Sequence, residues 1–312
     1  MKILVLEPHN RCNCRCVMCD IWRRTVEREI EQAELERHLD DIVSLGVEQV
    51  VFTGGEPLMH SNLFRLAAPL RARGIGITLL STGLLLKRDA ERIVASMDEA
   101  IVSLDGPREV HDGIRRVPGA FERLADGVRA LHRLSREFPV SARCTVQARN
   151  TEHLRETVAA ARSMGLRSIS FLAADLESTA FDRLKVWPES RKAAVAPELA
   201  VLEREIECLI AEGLADGFVL ESPVKLRRIV AHFRAYYGLE APAAPRCNAP
   251  WVSAVLEANG DVRPCFFHPA IGNTVNGTLA QIVNGPAAVA FRETLNVAEN
   301  AVCRRCVCSL YL

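Results

Sequence analysis

The stretch HNRCNCRCVMCDIW, residues 9–22, places four cysteines within eight positions, shortly after the apolar segment ILVL. A small secreted domain would use such thiols for disulfides, but this chain has 312 residues and only 11 cysteines. Its first residues also lack the long apolar core of a secretory signal, because the apolar run stops at Glu7 and Pro8. We therefore expect a reducing, cytoplasmic compartment, with thiols that bind metal.

The composition narrows the classes of partner. The 39 Lys and Arg residues balance 39 Asp and Glu residues, and no uninterrupted apolar stretch approaches the length of a membrane span. Neither bulk nucleic acid nor a membrane is therefore an expected partner. The length suggests about two domains, and a hydrophobic content of 49% is enough to fill ordinary cores.

Up to about residue 215, short apolar runs alternate with helix-like stretches, the pattern of βα units in a parallel sheet. Runs rich in Val, Ile and Leu predict strands at 2–6, 49–53, 75–80, 99–103, 140–146 and 168–172. These runs lack polar alternation, so we expect both faces of each strand to be covered. Six units fall short of a closed eight-stranded barrel. The expected α/β fold is a partial (β/α)6 TIM barrel, with its functional loops at the carboxyl ends of the strands.

Helical spacing of apolar residues predicts helices over 33–46, 63–74, 120–134, 154–165 and 197–212. The polar stretch 173–194 is expected to be a substrate loop or a plain surface connection. Residues 238–245 form a Pro-rich linker, and 251–265 predict a β-hairpin around Asn259-Gly260. We therefore divide the chain into a barrel (1–215), a connecting helix and linker (216–246) and a small C-terminal hairpin and helix domain (247–312).

Two motifs follow the first two strands. Cys12, Cys16 and Cys19 have the spacing Cys-x3-Cys-x2-Cys, which supplies three thiolates, whereas a structural zinc site needs four ligands. Zinc with Cys14 as the fourth ligand is the alternative. The second motif, FTGGEPLM at 52–59, combines two glycines that permit close backbone approach with the carboxylate of Glu56.

Together these two motifs resemble the radical S-adenosylmethionine (SAM) enzymes. The resemblance implies a [4Fe-4S] cluster on Cys12, Cys16 and Cys19, with SAM on the fourth iron and cleaved to a 5′-deoxyadenosyl radical. It also implies SAM-binding roles for Met18, Gly54, Gly55, Glu56, Ser81 and Ser103. Met18 departs from the aromatic residue usual in the family, and Cys14 is expected to point away from the loop.

The second group of cysteines lies near the carboxyl terminus. Cys247, Cys265, Cys303 and Cys306, with the stretch 271–285, resemble the auxiliary-cluster domain called SPASM or its shorter form, twitch. Five thiols imply the twitch form with one fully ligated [4Fe-4S] cluster; a zinc ribbon is the alternative. Cys308 is expected to replace Cys306, to stay idle or to donate a hydrogen atom.

The architecture resembles that of a cyclitol-oxidising twitch dehydrogenase, so the preferred function is oxidation of a sugar or cyclitol alcohol, with the auxiliary cluster as electron acceptor. The alternatives are an epimerase of a sugar, aminoglycoside or peptide that uses a thiol hydrogen donor, a peptide-modifying maturase, and a non-enzymatic scaffold. We expect a reductase such as flavodoxin or ferredoxin as partner. Strand one begins at the start of the chain, so a leader-binding domain is expected on a separate protein.

Candidates for the general base are Arg143, Gln147, His9, Asp105 and Arg263. His111, Asp112 and Arg115 are expected to orient SAM or to brace their loop.

Overall fold

The computed structural model describes residues 1–23, 27–181, 186–214 and 216–312. Its first six strands are all parallel and follow one another across the sheet, as the sequence predicts. They are β1 (Ile3–Leu6), β2 (Gln49–Phe52), β3 (Gly76–Ser81), β4 (Glu99–Ser103), β5 (Val140–Val146) and β6 (Ile169–Ala173). The sheet is not closed, so the prediction of an open barrel is confirmed.

The C-terminal strands continue this sheet. They are β7 (Ser253–Leu256), β8 (Asp261–Arg263) and β9 (Gly272–Asn273). β7 lies parallel to β1, and β8 and β9 follow antiparallel, giving the order β6-β5-β4-β3-β2-β1-β7-β8-β9. The predicted hairpin turn is present, and Gly260 adopts the positive φ of 87° that such a turn needs. The predicted first strand of the hairpin is wrong at its start, because Trp251 and Val252 end a short helix.

Fourteen α-helices lie within the described residues, most of them connecting successive strands. They are α1 (Gln32–Glu36), α2 (Leu39–Ser44), α3 (Leu63–Arg71), α4 (Leu86–Ser96), α5 (Arg108–Arg115), α6 (Ala120–Leu134), α7 (Leu154–Ser163), α8 (Glu189–Ala193), α9 (Leu199–Gly213), α10 (Pro223–Tyr236), α11 (Ala249–Val252), α12 (Leu279–Val283), α13 (Pro286–Thr294) and α14 (Ala301–Arg304). Short 3-10 helices occupy Ile21–Arg23, Pro57–Met59 and Thr151–His153. The single helix predicted over 33–46 is two helices, because the first ends at Glu36 and the second begins after the buried His38. Helices α4 and α5 were not predicted.

The two faces of the sheet differ, which corrects the expectation that both are covered. Along β5, Val140, Ala142, Cys144 and Val146 are buried, whereas Arg143 between them is exposed and its neighbours on that face are half-buried. Since side chains alternate across a strand, one face packs beneath the helices and the other lines an accessible interior. That interior is partly polar: Gln49 donates to Thr78 at 2.7 Å, and Thr78 donates to Glu99 at 2.7 Å, while Val5, Val51 and Ile101 lie on the same face.

The helices cover the apolar face. On α6, Leu124, Val128 and Leu131 are fully buried at helical spacing. Gly127 allows α4 to lie close, since a Cβ there would come within 2.6 Å of the Leu86 side chain. Across the described part of the chain, no helix combines the length and apolar character needed to cross a membrane.

Candidate active site

The cysteine motif lies in the loop after β1, at the carboxyl end of the sheet. Cys16 is buried, and Cys12 and Cys19 are half-buried. The backbone of this loop is fixed to the end of α5, because Arg15 N donates to Arg115 O at 3.1 Å and Val17 N donates to Ile114 O at 3.1 Å. The three predicted ligands therefore share one loop with a defined path.

Cys14 is not a bystander, contrary to the expectation that it points away. It is buried, and its thiol hydrogen-bonds the sulfur of Cys16. This bond lowers the pKa of Cys16 to about 7, with help from Arg115 and against the desolvation of the site. The Arg115 guanidinium donates to Cys16 Sγ at 3.5 Å and pairs with Asp105 Oδ2 at 2.5 Å. At Cys12, desolvation dominates and raises the pKa to about 12.

Gly54 and Gly55 let the loop after β2 lie directly against the cysteine loop. A Cβ on Gly55 would come within 1.9 Å of Arg11 O, and one on Gly54, where φ is 102°, within 2.8 Å of His9 O. Two hydrogen bonds of 2.8 Å join the same backbones, from Glu56 N to Arg11 O and between His9 Nε2 and Glu56 O. The close approach that the glycines permit is therefore to the cysteine loop itself.

Glu56 is fully buried, and its carboxylate is surrounded by donors. Ser81 Oγ donates to its two oxygens at 2.9 and 3.1 Å, Thr82 N at 2.6 Å, Thr82 Oγ1 at 2.5 Å and Leu58 N at 3.1 Å. Desolvation raises the pKa of Glu56, and these donors oppose the rise. The structure thus brings together two predicted SAM-binding residues, Glu56 and Ser81, and adds Thr82, which the sequence analysis missed although it directly follows Ser81.

Among the buried polar atoms beside the cysteine loop that have no hydrogen-bond partner in the described residues are Asn13 Nδ2 and Gln147 Oε1. Gln147 Nε2 points to the sulfur of the buried Met18 at 3.9 Å, and the Asn13 side-chain amide lies 3.0 Å from Thr82 Oγ1. A donor and an acceptor left unpaired in this way fit a polar ligand between the loops. Together with three adjacent thiols, the residues present fit an iron–sulfur cluster and SAM.

Ser103 and Arg143 stand opposite each other on β4 and β5. Ser103 is half-buried and Arg143 is exposed, and Arg143 Nε donates to Ser170 Oγ at 3.3 Å. Both residues lie on the accessible inner face of the sheet, near the carboxyl ends of the strands. Ser103 directly follows Val102, which is the partner of Ser81 in the sheet, but Ser103 is not among the described partners of Glu56.

Three other base candidates, His9, Asp105 and Arg263, are engaged by protein groups. Both ring nitrogens of His9 bond to backbone, and desolvation lowers its pKa to about 4. Asp105 accepts from Thr145 N at 2.9 Å in addition to its ion pair, and Arg263 pairs with Glu257. Arg143 alone of the five candidates is exposed.

The segment after β4 braces the loop. His111 Nδ1 accepts from Asp105 N at 3.1 Å, and Asp112 accepts from Gly119 N at 2.6 Å and Phe121 N at 2.8 Å. Burial, with Arg115 nearby, lowers the pKa of His111 to about 3. These contacts are internal to the protein and fix the position of Arg115 beside the cysteine loop.

The rear cysteines come from three segments that the fold brings together. Desolvation raises the pKa of Cys265, and Cys247 lies near enough to raise it further by electrostatic repulsion. Desolvation, with repulsion from both Cys265 and Cys247, raises the pKa of Cys303 to about 11. His268 Nε2 lies 3.4 Å from Cys303 Sγ. In the part of the chain that the structure describes, no three His, Cys, Asp or Glu side chains are grouped to enclose a single metal ion.

Cys308 belongs to the same neighbourhood. Its backbone oxygen accepts from the Cys306 thiol at 2.9 Å. Solvent reaches the Cys308 side chain, yet the surrounding protein desolvates the thiol enough to raise its pKa, with Arg143 opposing the rise and Asp175 adding to it. Cys308 therefore lies between the rear cysteines and the inner face of the barrel.

The sequence analysis also missed the partners of Asp20. This carboxylate directly follows Cys19 and accepts hydrogen bonds from Trp187 and Arg191, in the stretch 173–194 that was considered as a substrate loop. Residues 182–185 of that stretch lie outside the described residues. The remainder includes α8 and the buried Ala174, Leu176 and Trp187, so it is more than a polar surface connection.

The molecule has an open six-unit barrel, three thiols in the loop after β1 and a second thiol group beyond the barrel. These features are typical of iron–sulfur enzymes that use radical chemistry. The family model described as "Radical SAM superfamily" matches residues 6–161, which is half of the 312-residue chain. The model described as "Iron-sulfur cluster-binding domain", SPASM, matches residues 247–307. The chain therefore belongs to the radical SAM superfamily and carries a SPASM domain; its cofactors are SAM and two iron–sulfur clusters.

Individual relatives fall into two groups. The AdoMet-dependent heme synthase of Methanosarcina barkeri is 31% identical over 169 residues, 53% of this chain and 48% of that protein. The PqqA peptide cyclase of Ruegeria pomeroyi is 25% identical over 97% of this chain and 79% of that protein. The first-ranked curated relatives are matched over only 39 to 48% of their own length.

Solved structures agree on the fold. The crystal structure of Streptococcus suis SuiB bound to its precursor peptide SuiA superposes with a TM-score of 0.71 at 16% identity, covering 99% of this chain and 71% of that one. The expectation of a sugar or cyclitol substrate is not confirmed by these relatives. Their names fit the peptide-modifying alternative better.

Proposed function

We propose that the protein is a radical SAM maturase that modifies a peptide. The observation that carries this proposal is the similarity to a peptide cyclase along 97% of the chain, which includes both cysteine groups. The heme synthases match only about half of the chain, so they support the shared chemistry without supporting a porphyrin substrate.

The chain's own residues divide the work between two groups. Cys12, Cys16 and Cys19 hold the SAM-binding cluster, and Met18, Gly54, Gly55, Glu56, Ser81 and Ser103 form the surroundings of SAM. SAM bound there would supply 5′-deoxyadenosyl radical chemistry, that is, the capacity to abstract a hydrogen atom. Cys247, Cys265, Cys303 and Cys306 hold the auxiliary cluster, and full ligation by protein suits it to electron transfer.

The inner face of the sheet receives the substrate. This face is accessible and partly polar, and Arg143 presents its guanidinium there. Among the described contacts, the guanidinium makes one hydrogen bond, from Nε to Ser170 Oγ. A guanidinium in this position can bind a carboxylate or a peptide carbonyl. Cys308 lies within electrostatic range of Arg143, so a thiol is available beside the bound substrate.

An electron carrier such as flavodoxin or ferredoxin is part of the proposal. Cys306 lines a small open pocket of about 40 Å³ together with Arg228, Arg304 and Arg305, against the single carboxylate of Glu177. Arg228 Nη2 donates to Cys306 O at 2.5 Å. A basic rim at the auxiliary site suits an acidic redox protein, whose docking would weaken as salt is added.

The test is product analysis with two substrate panels. Anaerobically reconstituted enzyme, SAM and a chemical reductant are incubated in deuterium oxide with precursor peptides in one panel and with cyclitols and amino sugars in the other. A peptide product lacking two hydrogens, formed with 5′-deoxyadenosine, is expected. Oxidation confined to the sugar panel would replace the proposal with the dehydrogenase, and a redox-neutral product that gains one deuterium would replace it with the epimerase.

Arg143 and Cys308 are tested in the same assay. Arg143→Gln is expected to raise KM for the peptide about tenfold or more, with Arg143→Lys intermediate, because a charge-assisted contact is lost. Cys308→Ala is expected to keep the oxidised product. If Cys308→Ala stalls turnover after SAM cleavage, the thiol is a hydrogen donor and the oxidative route is wrong.

A further inference from the structure

The carboxylate of Asp20 connects the cysteine loop to the segment 186–194, which follows β6, the last strand of the barrel. Asp20 directly follows Cys19 and is buried. Arg191 Nη2 donates to Asp20 Oδ1 at 2.7 Å and Arg191 Nη1 to Oδ2 at 2.9 Å, while Trp187 Nε1 donates to Oδ2 at 2.6 Å. Arg191 also stacks on the Trp187 ring, 3.8 Å from its centroid. We call Asp20, Trp187 and Arg191 the clasp.

The clasp joins elements that are distant in sequence. Arg191 lies 171 residues from Asp20, in α8. Trp187, just before that helix, is only 4% exposed. A bidentate guanidinium on a buried carboxylate is a strong and directional contact, unlike a surface ion pair. The segment 186–194 is therefore docked firmly on the metal-binding loop.

The backbone around Cys19 is fixed from the other side as well. Trp22 Nε1 donates to Cys19 O at 3.0 Å, and Arg23 Nε pairs with Asp20 Oδ1 at 3.0 Å. Arg23 in turn lies over the Trp22 ring at 4.9 Å. The position of Cys19 thus depends on Trp22, which binds its backbone oxygen, and on Asp20, which directly follows it. Asp20 is held by the clasp.

We propose that Asp20 is a positioning residue, which sets the place of the third cluster cysteine and, through the two arginines it binds, the reduction potential of the SAM cluster. This inference rests on the assignment of Cys19 as a ligand and not on the identity of the substrate.

The charges predict opposite effects for the two halves of the clasp. Arg23 and Arg191 outnumber Asp20 by one positive charge beside Cys19. A nearby cation stabilises the reduced, more negative cluster, so its removal lowers the potential. Removal of the carboxylate leaves two cations uncompensated and raises the potential. General loosening of the loop, by contrast, would move both variants in the same direction.

The experiment compares Asp20→Asn with Arg191→Gln by potentiometric titration of the reconstituted protein, followed by electron paramagnetic resonance. We expect the midpoint of the SAM cluster to rise in Asp20→Asn and to fall in Arg191→Gln, and to return near wild type in the double variant. Hydrogen exchange of residues 186–194 should accelerate about tenfold or more in all three. Asp126→Asn, which removes an exposed carboxylate on α6 that pairs with Lys87 and Arg129, is the matched control and should change neither quantity.

Trp187→Phe keeps all charges and is expected to speed exchange without moving the potential, so it tests docking even where a charge variant folds poorly. Midpoints that move in the same direction, or that do not move, would overturn the proposal. Full iron content in Cys19→Ala would show that the ligand assignment has failed instead. If no peptide is modified in the product assay, the proposed function fails, but the inference about Asp20 is unaffected.

Discussion

The two cysteine groups are built in different ways. The front thiols share one eight-residue stretch, fixed against α5 and the loop after β2, with Cys16 beside a buried arginine. The rear thiols come from the segment just before α11, the turn after β8 and the C-terminal segment, and they are half-buried or exposed. Closing a short loop costs less chain entropy than joining distant segments. The front site is therefore held by the protein, whereas the rear site depends more on its metal.

The largest effect expected from this comparison follows removal of one thiol group at a time. Iron should fall from about eight to about four per chain both in Cys12→Ala/Cys16→Ala/Cys19→Ala and in Cys247→Ala/Cys265→Ala/Cys303→Ala. Only the front variant should lose all cleavage of SAM to 5′-deoxyadenosine. Only the rear variant should unfold at clearly lower denaturant concentration, because its metal contributes to folding. Iron analysis, nucleoside chromatography and urea unfolding measure the three quantities.

Equal destabilisation of both variants would contradict the difference in construction. Zinc in place of iron at the rear site would revive the zinc-ribbon alternative.

A glycine in each region sharpens the comparison. Gly55→Ala places a methyl group 1.9 Å from the backbone oxygen of Arg11, which cannot move without displacing the cysteine loop. Gly260→Ala meets the Thr274 side chain at 2.7 Å and keeps an unfavourable φ of 87°. We expect Gly55→Ala to abolish assembly of the front cluster, and Gly260→Ala to cost about 1–2 kcal/mol of unfolding free energy with both clusters retained.

Gly74→Ala serves as the control, because it has a comparable φ of 74° and open space around its Cβ. A Gly55→Ala protein with normal iron content would show that the two loops are less tightly coupled than the structure indicates.

Buried carboxylates provide the next comparison. Glu56→Gln turns an amide group toward donors from Ser81, Thr82 and Leu58, and should lower the unfolding free energy by about 1–3 kcal/mol. It should also weaken SAM binding by equilibrium dialysis. Glu257→Gln in the rear hairpin removes one ion pair with Arg263 and should leave SAM binding unchanged. Equal SAM affinity in both variants would remove Glu56 from the SAM site.

Much of this architecture was predictable from local sequence. The six barrel strands lie within about a residue of the apolar runs, and α6 spans the predicted 120–134, because hydrophobic periodicity is a local signal. The pairing of β7 with β1 was not predicted, since strand partners are chosen by tertiary packing between distant segments. The polar inner face of β5 was missed although the strand VSARCTV carries the signal, because Ser141, Arg143 and Thr145 alternate with less polar residues along it.

The candidate site follows the same rule. Cysteine spacing located both thiol groups, and the Gly-Gly-Glu motif located the loop that packs on the first one. The clasp between Asp20 and Arg191 was not predictable, because nothing in either local sequence indicates the other partner. Thr82 and Cys14 acquire their contacts only from the folded arrangement.

The smallest effect concerns pH. His111 is fully buried and neutral, and its pKa is lowered to about 3. Between this value and about 6.5, the unfolded chain binds a proton that the folded chain excludes, so stability falls as the pH is lowered. Between pH 7 and 5.5 this histidine should contribute a loss of about 1 kcal/mol, measured by urea unfolding. His111→Gln keeps an acceptor for Asp105 N and should flatten the profile by that amount; an unchanged profile would contradict the burial argument.

We propose that the front cluster has one iron open to SAM and that the rear cluster is fully ligated by the protein. The most direct test is electron paramagnetic resonance of each reduced triple variant, recorded with and without SAM. SAM is expected to change the spectrum of the protein that keeps Cys12, Cys16 and Cys19, and to leave unchanged the spectrum of the protein that keeps only the rear thiols. A SAM-dependent change in the rear-only protein, or none in the front-only protein, would contradict the claim.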